Sequence, residues 1–132
     1  MEKEAKVMVG TQDIVKDAAG ALEPLTADGI TVVQGWYDED IKDCHVTLWD
    51  MGEEEAVYSD DEVEGVTQTV QVTIFSPRDE VALAKRIKRL MKRNGFDFEG
   101  RSPDDSKPED GVYMKAQRFS KYYDETEDEE DE

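Results

Sequence analysis

The residues able to do chemistry are few and poorly placed for catalysis. One cysteine and one histidine occur, as the neighbours Cys44-His45, so a nucleophile with a histidine base would have to be built on that pair alone. No second Cys or His is present to complete a thiolate or imidazole metal site, and a single cysteine forms no internal disulfide; both residues are read as structural. Asp38-Glu39-Asp40 and Asp60-Asp61-Glu62 offer the oxygen ligands that Mg²⁺ or Ca²⁺ prefer, but neither run has calcium-loop spacing. With 34 Asp and Glu in 132 residues, such runs arise as solvated turns. No glycine-rich phosphate loop occurs. No catalytic, cofactor-binding or metal-binding residue is assigned, no cofactor is expected, and a metal-dependent enzyme is the weakest functional class.

Positive charge is the exception. The chain carries a formal charge of -18, yet Lys85, Arg86, Lys88, Arg89, Lys92 and Arg93 crowd one short segment. At about 100° per residue, Leu83, Ala84, Ile87, Leu90 and Met91 share one helical stripe and the six cations fall on the opposite face. The segment should therefore bury its apolar stripe and turn a basic face outward. That face either balances charge on an acidic surface or docks on the acidic surface of another subunit, where charge sets register and partner choice. Trp36, Tyr37, Trp49, Tyr113, Tyr122 and Tyr123 are candidate anchors for such a contact.

The elements that must carry these residues fit one domain over 1–123, followed by an acidic tail, 124–132, with eight acids in nine residues, expected to be disordered. The overall charge argues against general nucleic-acid or anionic-lipid binding and is also what a high-salt host would favour. No segment has the length and apolarity of a membrane span, and MEKEAKVMVG lacks the pattern of a secretion signal, so cytosolic synthesis is expected. Ile14, Val15, Ala18, Leu22 and Leu25 predict a first helix, capped by Thr11 and ending near Gly20 or at Ala27-Asp28-Gly29. ITVVQGW predicts a strand, YDEDIKD a turn, HVTLWDM a second strand, MGEE a turn, AVYS a short strand and SDDEVEG an acidic loop.

VTQTVQVTIF, residues 66–75, alternates with Val66, Val70, Val72 and Ile74 on one face. Ser76-Pro77 predicts a helix start, with Asp79 and Glu80 in the first turn, and Asn94-Gly95 a stop, giving a helix over about 77–94. Residues 97–111 are expected to be a surface loop and VYMKAQRFSKYY a closing strand. The expected architecture is α+β, a mostly antiparallel sheet of four to five strands packed against two helices.

This layout resembles the tail terminator family of long-tailed viruses, also called tail-completion or tail-to-head joining proteins. The resemblance spans roughly residues 11–123 and rests on the initial helix, the early hairpin, TVQVTIFSP, DEVALAKRIKRLMKRNGF, the polar loop and GVYMKAQRFSKYY. The chain departs from the pattern in its acidity, its 124–132 tail and the lack of a proline opening the second strand. The resemblance implies a structural virion protein without catalysis: a homo-oligomeric, hexameric ring that caps the tail tube and joins the tail to the head-completion or connector protein. Such a ring is assembled in the host cytoplasm, sits at the head–tail junction and lets DNA pass without specific binding. In that setting Glu53, Glu54, Glu55, Asp60, Asp61, Glu62 and Glu64 are expected to face the channel or the tube, where carboxylates keep a passing duplex from sticking. The alternative from a different class is an acidic DNA mimic that inhibits a nucleic-acid enzyme.

Overall fold

The computed structural model describes residues 13–35, 41, 43–57, 63–101 and 112–124. Helices α1 (Ile14–Ala21) and α2 (Glu23–Ala27) lead into strand β1 (Thr31–Gln34). Strands β2 (His45–Val57) and β3 (Val63–Ser76) follow, then helix α3 (Val81–Arg93), strand β4 (Asp97–Arg101) and strand β5 (Tyr113–Asp124). The fold is α+β: one five-stranded sheet, ordered β1-β2-β3-β5-β4, with three helices.

Two features differ from the expected architecture. Three helices form where two were expected, because Pro24 suits the first turn of a new helix and α2 restarts there behind Leu22. The first cap is Asp13, whose carboxylate accepts from the Val15 and Lys16 amides, so the role expected of Thr11 falls to its neighbour but one. The sheet is mixed, since β1 pairs parallel with β2, Thr31 opposite His45 and Gln34 opposite Leu48. The link from Gly35 to Cys44 is longer than a hairpin turn and lets the chain return to the same end of a four-residue strand.

Three local readings also change. Met51 to Glu54 do not turn; β2 runs through them with a bulge between Asp50 and Gly52. Gly52 takes φ +100°, and its amide donates to the Asp50 carboxylate at 2.8 Å, so the glycine that resembled a turn signal is a bulge residue. Ser76-Pro77 likewise does not open α3. The Ser76 hydroxyl accepts from the Arg78 amide and donates to Glu80 at 2.9 Å, closing a separate turn that moves the helix start to Val81. At the other end the expected stop forms: Gly95 has φ +89° and the Phe96 amide donates back to the Met91 carbonyl. Finally, Asp97–Arg101 is an edge strand rather than loop; Phe98 alone turns toward the core, too little apolar pattern to mark a strand. The remainder of that expected loop, 102–111, lies outside the described residues.

All three helices cover one face of the sheet. α1 lies over β2 and β3 and α3 over β4 and β5, and the two helices touch. The core between them joins Ile14, Ala18, Leu22 and Leu25 to Val46, Leu48, Val70, Val72, Ile87, Met91 and Phe119. Along β3 the expected alternation holds, with Val66, Val70, Val72 and Ile74 buried beneath the helices. Gln68 shares this face, and its side-chain oxygen accepts from the Ile14 amide at 3.2 Å, satisfying a donor at the start of α1. On the reverse face His45 stacks on Phe75, and Arg118 reaches Gln71, which in turn reaches Thr73.

Close packing of β3 on β5 leaves no room at Gly65, where a Cβ would overlap the Tyr123 carbonyl oxygen and lie 2.6 Å from the Tyr122 hydroxyl. Gly65→Ala is expected to lower stability by about 1–3 kcal/mol in urea unfolding, because backbone must shift to admit the methyl group. An unchanged midpoint would show that the strand pair opens freely there.

Candidate assembly surface

The amphipathic reading of α3 meets the structure at its decisive points. Ile87 and Met91 are fully buried, Leu83 and Ala84 nearly so, and Leu90 is half-buried against the core. Lys85, Arg89, Lys92 and Arg93 are exposed and, at spacings of three, four and eight, form one stripe along the outer face. Two members of the predicted set sit lower. Arg86 pairs with Asp28 at 2.7 Å, tying α3 to the end of α2. Lys88 places its ammonium 4.0 Å from the centre of the Phe98 ring and roofs the edge strand.

On the far side of α3 the helix and the β4–β5 pair enclose an open cleft of about 350 Å³. It is lined by the charged residues Lys85, Lys88, Arg101 and Lys115 and by Val81, Ala84, Phe98 and Gln117. Asp79 reaches Lys115 at 3.2 Å. The Gln117 amide nitrogen donates to the Ala84 carbonyl at 3.2 Å, while its buried oxygen has no hydrogen-bond partner. Arg101, Lys115 and Gln117 were not singled out by sequence reasoning. The signal was available for two of them, since Lys115 and Gln117 occupy strand positions that alternation with Phe119 assigns to the helix-covered face.

The predicted acids divide differently. Glu53, Glu54 and Glu55 are exposed on β2, not on a loop. Because β1 reaches only as far as Leu48, the stretch from Trp49 to Val57 has no strand on its outer side among the described residues. Glu64 belongs to β3, and Asp60, Asp61 and Glu62 lie outside the described residues. Of the candidate anchors, Trp49 and Tyr122 are exposed, 45% and 38%, and Met51 joins them at 41%. Tyr113 is half-buried, Tyr123 is buried, and Trp36 and Tyr37 lie outside the described residues.

Tyr123 belongs instead to a buried polar cluster that the sequence reading missed. Its hydroxyl donates to Asp17 of α1 at 2.5 Å, and Lys121 of β5 approaches the same carboxylate at 3.8 Å. Burial first, then the bond to Asp17, pushes the Tyr123 phenol well above its ordinary range. Cys44 is half-buried on the core side, and burial followed by the Glu80 charge raises its thiol pKa, which disfavours the reactive thiolate. Among the described residues no three His, Cys, Asp or Glu side chains gather as metal ligands, and no helix is long and apolar enough to cross a membrane.

No protein-family model matches the sequence, and no curated protein matches it significantly.

Proposed function

We propose that the chain is a ring-forming structural protein of the tail-terminator type, acting at the head–tail junction of a long-tailed virus. The observation that carries this reading is the placement of two opposite surfaces on one domain. The cationic stripe of α3 stands over β4 and β5, and the part of β2 beyond the reach of β1, which no other strand among the described residues covers, carries Glu53, Glu54, Glu55, Trp49 and Met51 on the other side of the sheet. Unlike patches on separate sides of a subunit make a heterologous contact, the kind that builds a ring where the rotation between copies closes and an open filament where it does not. The three glutamates also discourage two β2 edges from pairing with each other, which leaves the edge for an unlike partner. In the ring, the stripe of one copy meets the β2 edge of the next, with Glu53, Glu54 and Glu55 toward the channel or the tube. The partners are then the tail tube protein on one side and the connector on the other.

Native mass measurement and electron images of the purified protein, with and without tail tubes, test the reading. Six-fold particles or capped tubes are expected. Arg89→Glu combined with Lys92→Glu should shift the protein to single copies while far-ultraviolet circular dichroism stays unchanged; these two are chosen because Lys88 is engaged with Phe98. A monomer that competes with DNA for a nuclease or polymerase would replace the ring with the mimic.

A further inference from the structure

The outer face of α3 is an exposed stripe of positive charge on an acidic protein. Lys85, Arg89, Lys92 and Arg93 form it, and among the described residues none of the four makes an ion pair, although the chain holds 34 acids. The lower cations of the same helix are engaged, Arg86 with Asp28 and Lys88 with Phe98. The strand beside the helix leads toward a counter-charge. β5 runs alongside α3 from Gln117, bonded to Ala84, to Lys121, whose Cε would lie 3.8 Å from a Cβ at Gly95, just past the end of the helix. Asp124, the last residue of β5, is three positions further on, roughly 10 Å at strand rise. Residues 125–132, ETEDEEDE, follow it directly, with seven acids in eight residues.

We infer that residues 125–132 of each copy lie against the outer face of that copy's own α3, on Arg89, Lys92 and Arg93, and compete there with the acidic edge of a neighbour. Charge complementarity selects the segment, and chain length selects the copy. Eight residues extended at about 3.5 Å each span about 28 Å. Returning roughly 10 Å to the level of Lys121 and crossing about 10 Å of helix leaves enough chain for the last turn of the stripe. Lys85, about 12 Å back along the axis from Arg93, lies at the limit of that reach. So short a tether holds the segment at an effective concentration on the order of millimolar, ahead of another copy's segment at ordinary protein concentration. A neighbour's β2 edge can still displace it, because Trp49 and Met51, 45% and 41% exposed, bring apolar area that the acidic run lacks. The contact follows from this chain alone; its effect on assembly rests on the reading of the stripe as the ring surface.

Zero-length carbodiimide coupling of dilute full-length protein, mixed equally from unlabelled and nitrogen-15-labelled stocks and read by mass spectrometry, tests the contact. Expected are peptides joining Lys92 to residues 125–132 that carry a single label. Arg89→Gln combined with Arg93→Gln keeps the coupling site and should cut their yield several-fold, as should about 0.5 M salt. Links that carry both labels as often as one, or that spread equally to Lys16, exposed on α1, overturn the inference. The effect on assembly is read by sedimentation of a full-length variant with Glu→Gln and Asp→Asn at the seven tail acids. It should assemble at a several-fold lower concentration than the parent. A separate ETEDEEDE peptide should restore the parent's threshold, which lost repulsion alone does not predict. An unchanged threshold overturns the competition. Single-label links to Lys92 with no particles from either protein leave the tail contact standing and sink the ring. Six-fold particles without such links do the reverse.

Discussion

Lys121→Met is expected to destabilise the protein by about 3–5 kcal/mol, among the largest effects of any single substitution outside the apolar core. Lys121 and Asp17 are only 7% and 8% exposed, and their charged groups meet at 3.8 Å beneath α1. Methionine keeps most of the length and packing of the lysine stem, so the loss comes from charge: Asp17 retains the Tyr123 hydroxyl but loses its cation in a site with little water. The ammonium also lies 5.1 Å from the Phe96 ring centre and 5.7 Å from that of Tyr123. Those contacts add to the loss. Asp17→Asn, combined with Lys121→Met, removes both charges and should restore much of the stability, because the cost of a broken buried pair is chiefly the charge left behind. Urea unfolding of the two single variants and the double variant forms the cycle. Additive losses, or a Lys121→Met variant within about 1 kcal/mol of the parent, would mean that the pair is effectively solvated.

How much of this could be read from the chain depends on how many independent signals each element carries. The central strands were legible because Val66, Val70, Val72 and Ile74 alternate without interruption, and β5 because Ala116, Phe119 and Tyr123 sit in a long β-prone run. The burial of α3 was legible because Leu83, Ala84, Ile87, Leu90 and Met91 separate by angle from its six cations. The errors arose where one residue type serves two geometries. Gly52 suits a turn or a bulge, and Ser76-Pro77 a helix start or a free turn, and the choice was made by pairing partners distant in sequence. The parallel pairing of β1 depends on the path of a connection, which local pattern does not specify. The polar groups inside were hidden for a related reason. Lys121 and Gln117 stand at core-facing positions that alternation identifies, but only the arrival of Asp17 and of α3 makes burial of those groups tolerable.

Alkaline pH should weaken the fold through one phenol. Tyr123 is 2% exposed and donates its proton to the Asp17 carboxylate, so ionising it would set two anions against each other where water cannot screen them. Its folded-state pKa is raised by burial and then by that bond, whereas in the unfolded chain the phenol titrates near its ordinary value, about 10. The folded state therefore holds this proton more tightly. The stabilisation is complete below about pH 10 and declines by about 1.4 kcal/mol per pH unit above it, until the folded phenol itself ionises. Tyr123→Phe lacks the titrating group: it should be less stable than the parent at neutral pH by about 1–3 kcal/mol, since Asp17 loses a donor. Above pH 10 the difference should shrink, and the two stability curves should converge or cross. Every other titrating group is common to both proteins, so the informative quantity is the difference between the curves from urea unfolding at each pH. A difference that stays constant from pH 8 to 11 would mean that the hydroxyl of Tyr123 reaches solvent and that the closure of α1 over β5 is looser than the packing around Asp17 requires.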